Sequence, residues 1–154
     1  MLTAAQPQAG AYFGTSVALN ASGSAAVIGA VYENNGEGAA YVFQGGPAGW
    51  EQAARLSEAG SDQFGDAVAL NNGGGIAAVG AEATQSTGTA YVYTRSGAGW
   101  IQAMALEPNM SDQALYGIAL AFDASGGQVM VGAAFDDNGN PADFRYGAVY
   151  MVRV

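Results

Sequence analysis

The chain has 154 residues, with no His, no Cys and no Lys, and its only cations are Arg55, Arg95, Arg145 and Arg153. That composition excludes a Ser–His–Asp triad, a Cys–His dyad, a His/Cys zinc site, a Schiff-base amine and a P-loop lysine. A net charge of −9 argues against nucleic acid and anionic membranes, because phosphate contacts need cationic side chains. No run approaches 18 apolar residues, which excludes a membrane-spanning helix. Met1-Leu2-Thr3 opens without the basic and apolar regions of a signal peptide. What remains is carboxylate chemistry, oxygen-ligand metals, or binding without catalysis.

In chain order, the first pattern is Phe13-Gly14 followed by a strand at Ser16–Leu19, with Val17 and Leu19 on one face by the period of two. An Asn20-Ala21-Ser22-Gly23 turn leads to an apolar strand at Ala25–Ala30. An aromatic and β-branched strand follows at Ala39–Gln44. The glycine-rich turn Gly45-Gly46-Pro47-Ala48-Gly49 then leads to Trp50–Leu56. That last segment also suits a turn and a half of amphipathic helix, but its length and flanking glycines favour a strand. These four strands, A to D, make one unit.

The unit recurs. Phe13-Gly14 returns as Phe64-Gly65 and Tyr116-Gly117. Ile28-Gly29-Ala30 returns as Val79-Gly80-Ala81 and Val131-Gly132-Ala133. Gly38-Ala39-Ala40-Tyr41-Val42 returns as Gly88-Thr89-Ala90-Tyr91-Val92 and Gly147-Ala148-Val149-Tyr150-Met151. Trp50 and Leu56 return as Trp100 and Leu106. Repeats of about 50 residues, each of four antiparallel strands, predict an all-β fold of β-propeller blades. A β-trefoil, also three repeats of four strands, is the alternative. The domain is a single one over 1–154, with repeats at about 7–56, 57–106 and 107–154.

These motifs resemble the FG-GAP repeat of integrin α-subunit propellers and of many bacterial secreted proteins. The third copy departs, with Tyr116 in place of Phe and an insertion before Gly147. The resemblance implies a binding or adhesion module at an extracellular or cell-surface location. It also implies calcium in the A–B turns. Those turns are nearly uncharged here, at Asn20/Ser22, Asn71/Asn72 and Asp123/Ser125, whereas calcium takes about 6–8 oxygens, several of them carboxylates. The expectation is that no cofactor is held there. One oxygen-dense stretch, with Asp136, Asn138 and Asn140 at calcium-loop spacing, is a candidate metal site, although its Gly139 sits at the fourth place instead of the sixth.

Three blades fall short of the 4 to 8 of an ordinary closed propeller. The third unit lacks its own D strand, and Leu2 matches Leu56 and Leu106. The expectation is that residues 1–6 of the same or a partner chain supply that strand. Either a homodimer then forms a six-bladed ring, or the chain belongs to a longer propeller.

In up-and-down blades the B–C and D–A loops share one rim. Ten of the thirteen carboxylates fall in those loops, and Glu33, Glu37, Glu82, Asp136, Asp137 and Asp143 are the candidate ligand-binding residues. A plain solvated loop set is the alternative reading. No opposed carboxylate pair suggests a glycosidase, so no catalytic residue is assigned. The functional expectation is a non-catalytic module for an unknown protein or glycan ligand. A lectin, with Trp50 and Trp100 as stacking platforms, and a purely structural self-assembling unit are the alternatives.

Overall fold

The computed structural model describes residues 1–82, 87–107, 114–136 and 146–154. They form three stacked antiparallel sheets. The first contains β1 (Phe13–Leu19), β2 (Ala25–Ala30), β3 (Ala39–Gly46) and β4 (Gly49–Leu56) in that spatial order. The second repeats it with β5 (Phe64–Leu70), β6 (Ile76–Ala81), β7 (Thr89–Ser96) and β8 (Gly99–Leu106). The third contains β9 (Tyr116–Phe122), β10 (Gln128–Ala133) and β11 (Ala148–Arg153). Each sheet is an up-and-down meander, so the fold is all-β and built of propeller blades. The trefoil alternative is overturned, because every repeat keeps its strands in its own sheet. The Trp50–Leu56 segment is a strand paired along β3 and not a helical turn.

The innermost strand of each blade is irregular in the same way. Phe64 pairs with Ala81 and Val68 with Val79, so the ladder slips between them. The slip recurs between Phe13 and Val17 and beside Tyr116. It begins at a residue with positive φ, namely Tyr12, Gln63 and Leu115 at 55°, 58° and 52°. In each case that residue's carbonyl accepts the amide three residues on, closing a tight turn. The turn swings the following glycine out of the ladder towards the preceding blade.

Backbone then packs on backbone. A Cβ on Gly29 would lie closer than 3.0 Å to the Gly65 carbonyl, and one on Gly80 would meet the Gly117 carbonyl equally closely. A Cβ on Gly38 would strike Phe64, and one on Gly88 would strike Tyr116. Hydrogen bonds cross the same seam, with Phe64 N–H donating to Glu37 O at 2.9 Å and Tyr116 N–H to Thr87 O at 2.8 Å. Side chains fill the space on either side of this seam. Val27, Ala40 and Val42 of the first blade pack with Phe64, Val68, Leu70 and Val79 of the second. Ala78, Ala90 and Val92 of the second pack with Tyr116, Val129 and Val131 of the third.

Residues 1–11 are not a strand. Leu2, Ala4 and Ala11 cover Ala26, Ile28, Tyr41 and Phe43 on the first blade. Within the chain, then, residues 1–6 do not complete the third blade, and β11 is its edge strand among the described residues. The reason is one of register. Leu2 and Phe13 pack against one cluster, as Leu56 and Phe64 share the next, and Leu56 is already the last residue of its strand. Residues after Leu2 therefore correspond to a D–A connection.

Gly65 is the sharpest test of the seam. Its φ is 95°, and an added Cβ would meet the Ala39 carbonyl closer than 3.0 Å. Gly65→Ala is expected to cost more than about 3 kcal/mol by urea unfolding. Gly23 has φ 67° with nothing within 4 Å, and Gly23→Ala is expected to cost only about 1–2 kcal/mol. Equal losses would mean that conformation alone matters and that the seam is not tightly packed.

Candidate functional site

The B–C and D–A connections lie together on one rim. Gln63 N–H donates to Gly36 O at 2.7 Å, and Ser61 Oγ donates to Glu37 O at 3.0 Å. Phe135 N–H donates to Ala114 O at 3.0 Å one blade further on. The A–B turns meet on the opposite rim, where Ala21 N–H donates to Asn72 O and Asn72 Nδ2 to Ala124 O.

The candidate carboxylates do not share one environment. Glu33 is buried at the start of a short 3-10 turn, Glu33–Gly36, whose Asn34 and Asn35 have positive φ. Its Oε1 accepts from Arg55 Nε at 2.8 Å and lies 2.7 Å from Nη2, and its Oε2 accepts from the Tyr41 hydroxyl at 2.5 Å. Asp136, one repeat pair later, is also buried and accepts from the Tyr150 hydroxyl. Both carboxylates thus act inside the blades as anchors for a tyrosine. Glu37 is exposed and accepts from Asn34 Nδ2. Glu82 is half-buried beside Asp66 and Asp62. Asp137, Asp143, Asn138 and Asn140 lie outside the described residues, so Asp136 is the one member of the calcium-like stretch that is placed.

The tyrosines record these partnerships. Burial and the hydrogen bond to Glu33 push the Tyr41 phenol up to about 12. The hydrogen bond to Asp136, with some burial, lifts Tyr150 to about 12. Tyr93 is raised by burial and by donating to Glu58. Around Arg55, burial opposes the guanidinium charge, but the bond to Glu33 and its negative charge prevail, and the net shift is upward. Arg55 is the residue of this group that the sequence does not single out as part of a site. Its signal was rarity, since it is one of four cations in a chain with thirteen carboxylates.

This ion pair borders a cleft of about 480 Å³ on the first blade. Gln6, Gln8, Asn34 and Gln52 line it beside Glu33, Tyr41 and Arg55. The N-terminal segment forms one wall, held by Ala5 N–H donating to Gln52 Oε1 at 2.8 Å and by Asn34 N–H donating to Gln8 Oε1 at 3.0 Å. Primary amides offer both donors and acceptors, which suits an uncharged polar ligand. The two tryptophans differ. Trp100 packs against the core shared by the first two blades, whereas Trp50 is exposed and lies over Gly45.

The A–B turns are stapled by their own side chains. Asn20 Oδ1 accepts from Ser24 N–H and Ala25 N–H at 2.8 and 2.9 Å. Asn71 Oδ1 accepts from Gly75 N–H and Ile76 N–H, both at 2.9 Å. Asp123 Oδ1 accepts from Gln128 N–H at 3.0 Å. These oxygens, which would be the natural cation ligands, already serve the backbone. Among the described residues no group of three or more acidic side chains is arranged to hold a metal ion.

A family model described as the FG-GAP repeat matches residues 1–43. No curated protein matches the sequence. Among solved structures, Sqt1 of Saccharomyces cerevisiae superposes over 95% of this chain and 33% of its own, with a TM-score of 0.61 at 12% identity. TolB of Acinetobacter baumannii superposes over 94% of this chain and 33% of its own, with a TM-score of 0.51 at 11% identity. The chain thus spans about a third of the length of either structure. At these identities the likeness is one of fold, and it is to propeller-like proteins. No helix among the described residues is long and apolar enough to cross a membrane.

Two outcomes follow from this chemistry. Asn71→Ala leaves two strand-starting amides without their acceptor and is expected to cost about 2 kcal/mol by urea unfolding; an unchanged midpoint would contradict the staple. Glu82 has its pKa raised by burial, by its hydrogen bond to Asp66 and by the charges of Asp66 and Asp62. A raised carboxyl contributes stability below the ordinary glutamate value of 4.5 and loses it as pH climbs through the raised value. Glu82→Gln is therefore expected to raise the Tm at pH 7 by about 2 °C, with the gain vanishing below pH ~4. A constant gain at every pH would contradict the repulsion.

Proposed function

We propose that the chain is a non-catalytic binding module of FG-GAP propeller type, working at a cell surface or outside the cell. Its ligand is taken on the rim formed by the B–C and D–A connections, and the cleft on the first blade is the receptacle. The observation that carries this reading is the cleft itself. It is lined by amides and closed on one side by the N-terminal segment, and its one ion pair is internally satisfied. Two facts argue against catalysis. The chain has no His, Cys or Lys, and the buried carboxylates Glu33 and Asp136 are both occupied by tyrosine hydroxyls. With a net charge of −9, the module repels polyanions and favours neutral or basic ligands.

The ligand we favour is a peptide segment of another protein, whose main chain the amides can bond from both sides. A glycan is the second reading, favoured by the same amides and by the exposure of Trp50 near the edge of this blade. Labelled chain applied to peptide and glycan arrays distinguishes them. The expected result is selective binding to basic or neutral peptides, reduced at least tenfold in Gln6→Ala/Gln52→Ala. Binding that survives this double variant would remove the cleft from the account, and glycan spots alone would establish the second reading.

A further inference from the structure

The two blade–blade seams inside the chain use the same parts, and each end of the stack displays one unmatched half. At the leading end, Val17 and Leu19 are 68% and 62% exposed, whereas their equivalents Val68 and Leu70 are 9% and 8% exposed. Gly14 keeps the bulge conformation of Gly65, with φ 98° against 95°, but nothing lies within 4 Å of its notional Cβ. At the trailing end, Val149 and Met151 are 63% and 67% exposed, although Ala40, Val42, Ala90 and Val92 are fully buried at the same positions. Gly132, the counterpart of Gly29 and Gly80, faces only Ala119 of its own sheet. A shallow apolar depression of about 200 Å³ lies there, lined by Met130, Gly132 and Val149 among others.

We propose that this trailing face receives the leading face of a second copy of the chain, and that two copies close head to tail into a six-bladed ring. The inference goes beyond the ligand-binding reading and stands without it. The template is the chain's own seam. The Gly14 carbonyl of the second copy approaches Gly132 as Gly65 approaches Gly29 and Gly117 approaches Gly80. Its Val17 and Leu19 cover Met130, Val149 and Met151 as Val68 and Leu70 cover Val27, Ala40 and Val42. The edge strand is met as well. Leu56 pairs with Ala40 and Leu106 with Ala90, so the second copy's Leu2 arrives beside Val149, at the place where the outer strand of the third blade would end. Left open, the two faces leave Val17, Leu19, Val149 and Met151 more than half exposed, an apolar set that a matching face would cover. A head-to-tail contact closes when the rotation per copy is a half turn, and six blades lie within the range in which propellers close.

Sedimentation velocity over a wide concentration range tests this. The wild type is expected at twice 15.4 kDa. Leu19→Asp and Met151→Asp, one on each face, are each expected to sediment as single chains with an unchanged circular dichroism spectrum. Mixed together, they are expected to regain a two-chain species, because one of the two seams is then intact. Should either variant fail to fold, Val149→Thr keeps the strand and the volume, and is expected to raise the dissociation constant about tenfold. A single-chain mass for the wild type would overturn the proposal and leave these faces to further blades of a longer polypeptide. A Leu19→Asp variant that stays paired would overturn the head-to-tail arrangement. Masses beyond two copies would overturn closure in favour of an open filament.

Discussion

The structure depends on one contact, the approach of a glycine carbonyl in one blade to a glycine Cα in the blade before it. Gly65 on Gly29 and Gly117 on Gly80 leave no room for a Cβ, so the inner strands come close enough for the amides of Phe64 and Tyr116 to cross between sheets. Everything else in the stack follows from that spacing. Val68 and Leu70 reach Val27 and Val42 because the sheets are close, and small residues such as Ala40 and Ala77 leave room there for Phe64 and Tyr93. Part of the glycine content, at Gly29, Gly38, Gly65, Gly80, Gly88 and Gly117, is a consequence of this architecture.

The polar chemistry is organised around the same seam. On one rim the asparagines of the A–B turns satisfy strand-starting amides and touch the next turn. On the other, tyrosines from the third strand of each blade are held by carboxylates from the loops, as Tyr41 is by Glu33, Tyr93 by Glu58 and Tyr150 by Asp136. A buried carboxylate left alone would be costly, and Glu33 and Asp136, the buried two among these, each accept from a tyrosine hydroxyl. Acidity that looks in the sequence like a uniform binding surface is divided by the fold. Part of it anchors tyrosines, and part, at Glu37 and around Glu82, faces outward or crowds its neighbours.

The blades were legible in the sequence because three motifs repeat in register and alternate with the period of a strand. Ala25–Ala30 is a strand with those very bounds, and the others differ by a residue or a few at their ends. The bulge after Tyr12, Gln63 and Leu115 was not legible, since three different side chains adopt the same positive φ and only the aromatic–glycine pair that follows is shared. Nor was the burial of Glu33 and Asp136. Loop position suggests exposure, and nothing local announces a tyrosine eight or fourteen residues downstream as the partner. The match of Leu2 to Leu56 did not reveal that Leu2 and Ala4 pack on the first blade of their own chain.

Native-state hydrogen exchange at the amides of Phe64 and Tyr116 tests the dependence on the seam most directly. If the glycine contact couples the blades into one unit, both amides exchange only through global unfolding, with protection equal to that of Val27 and Val79 at the centres of their sheets. If they exchange far faster than those central amides, the blades part without unfolding, and the seam is not what holds the structure together.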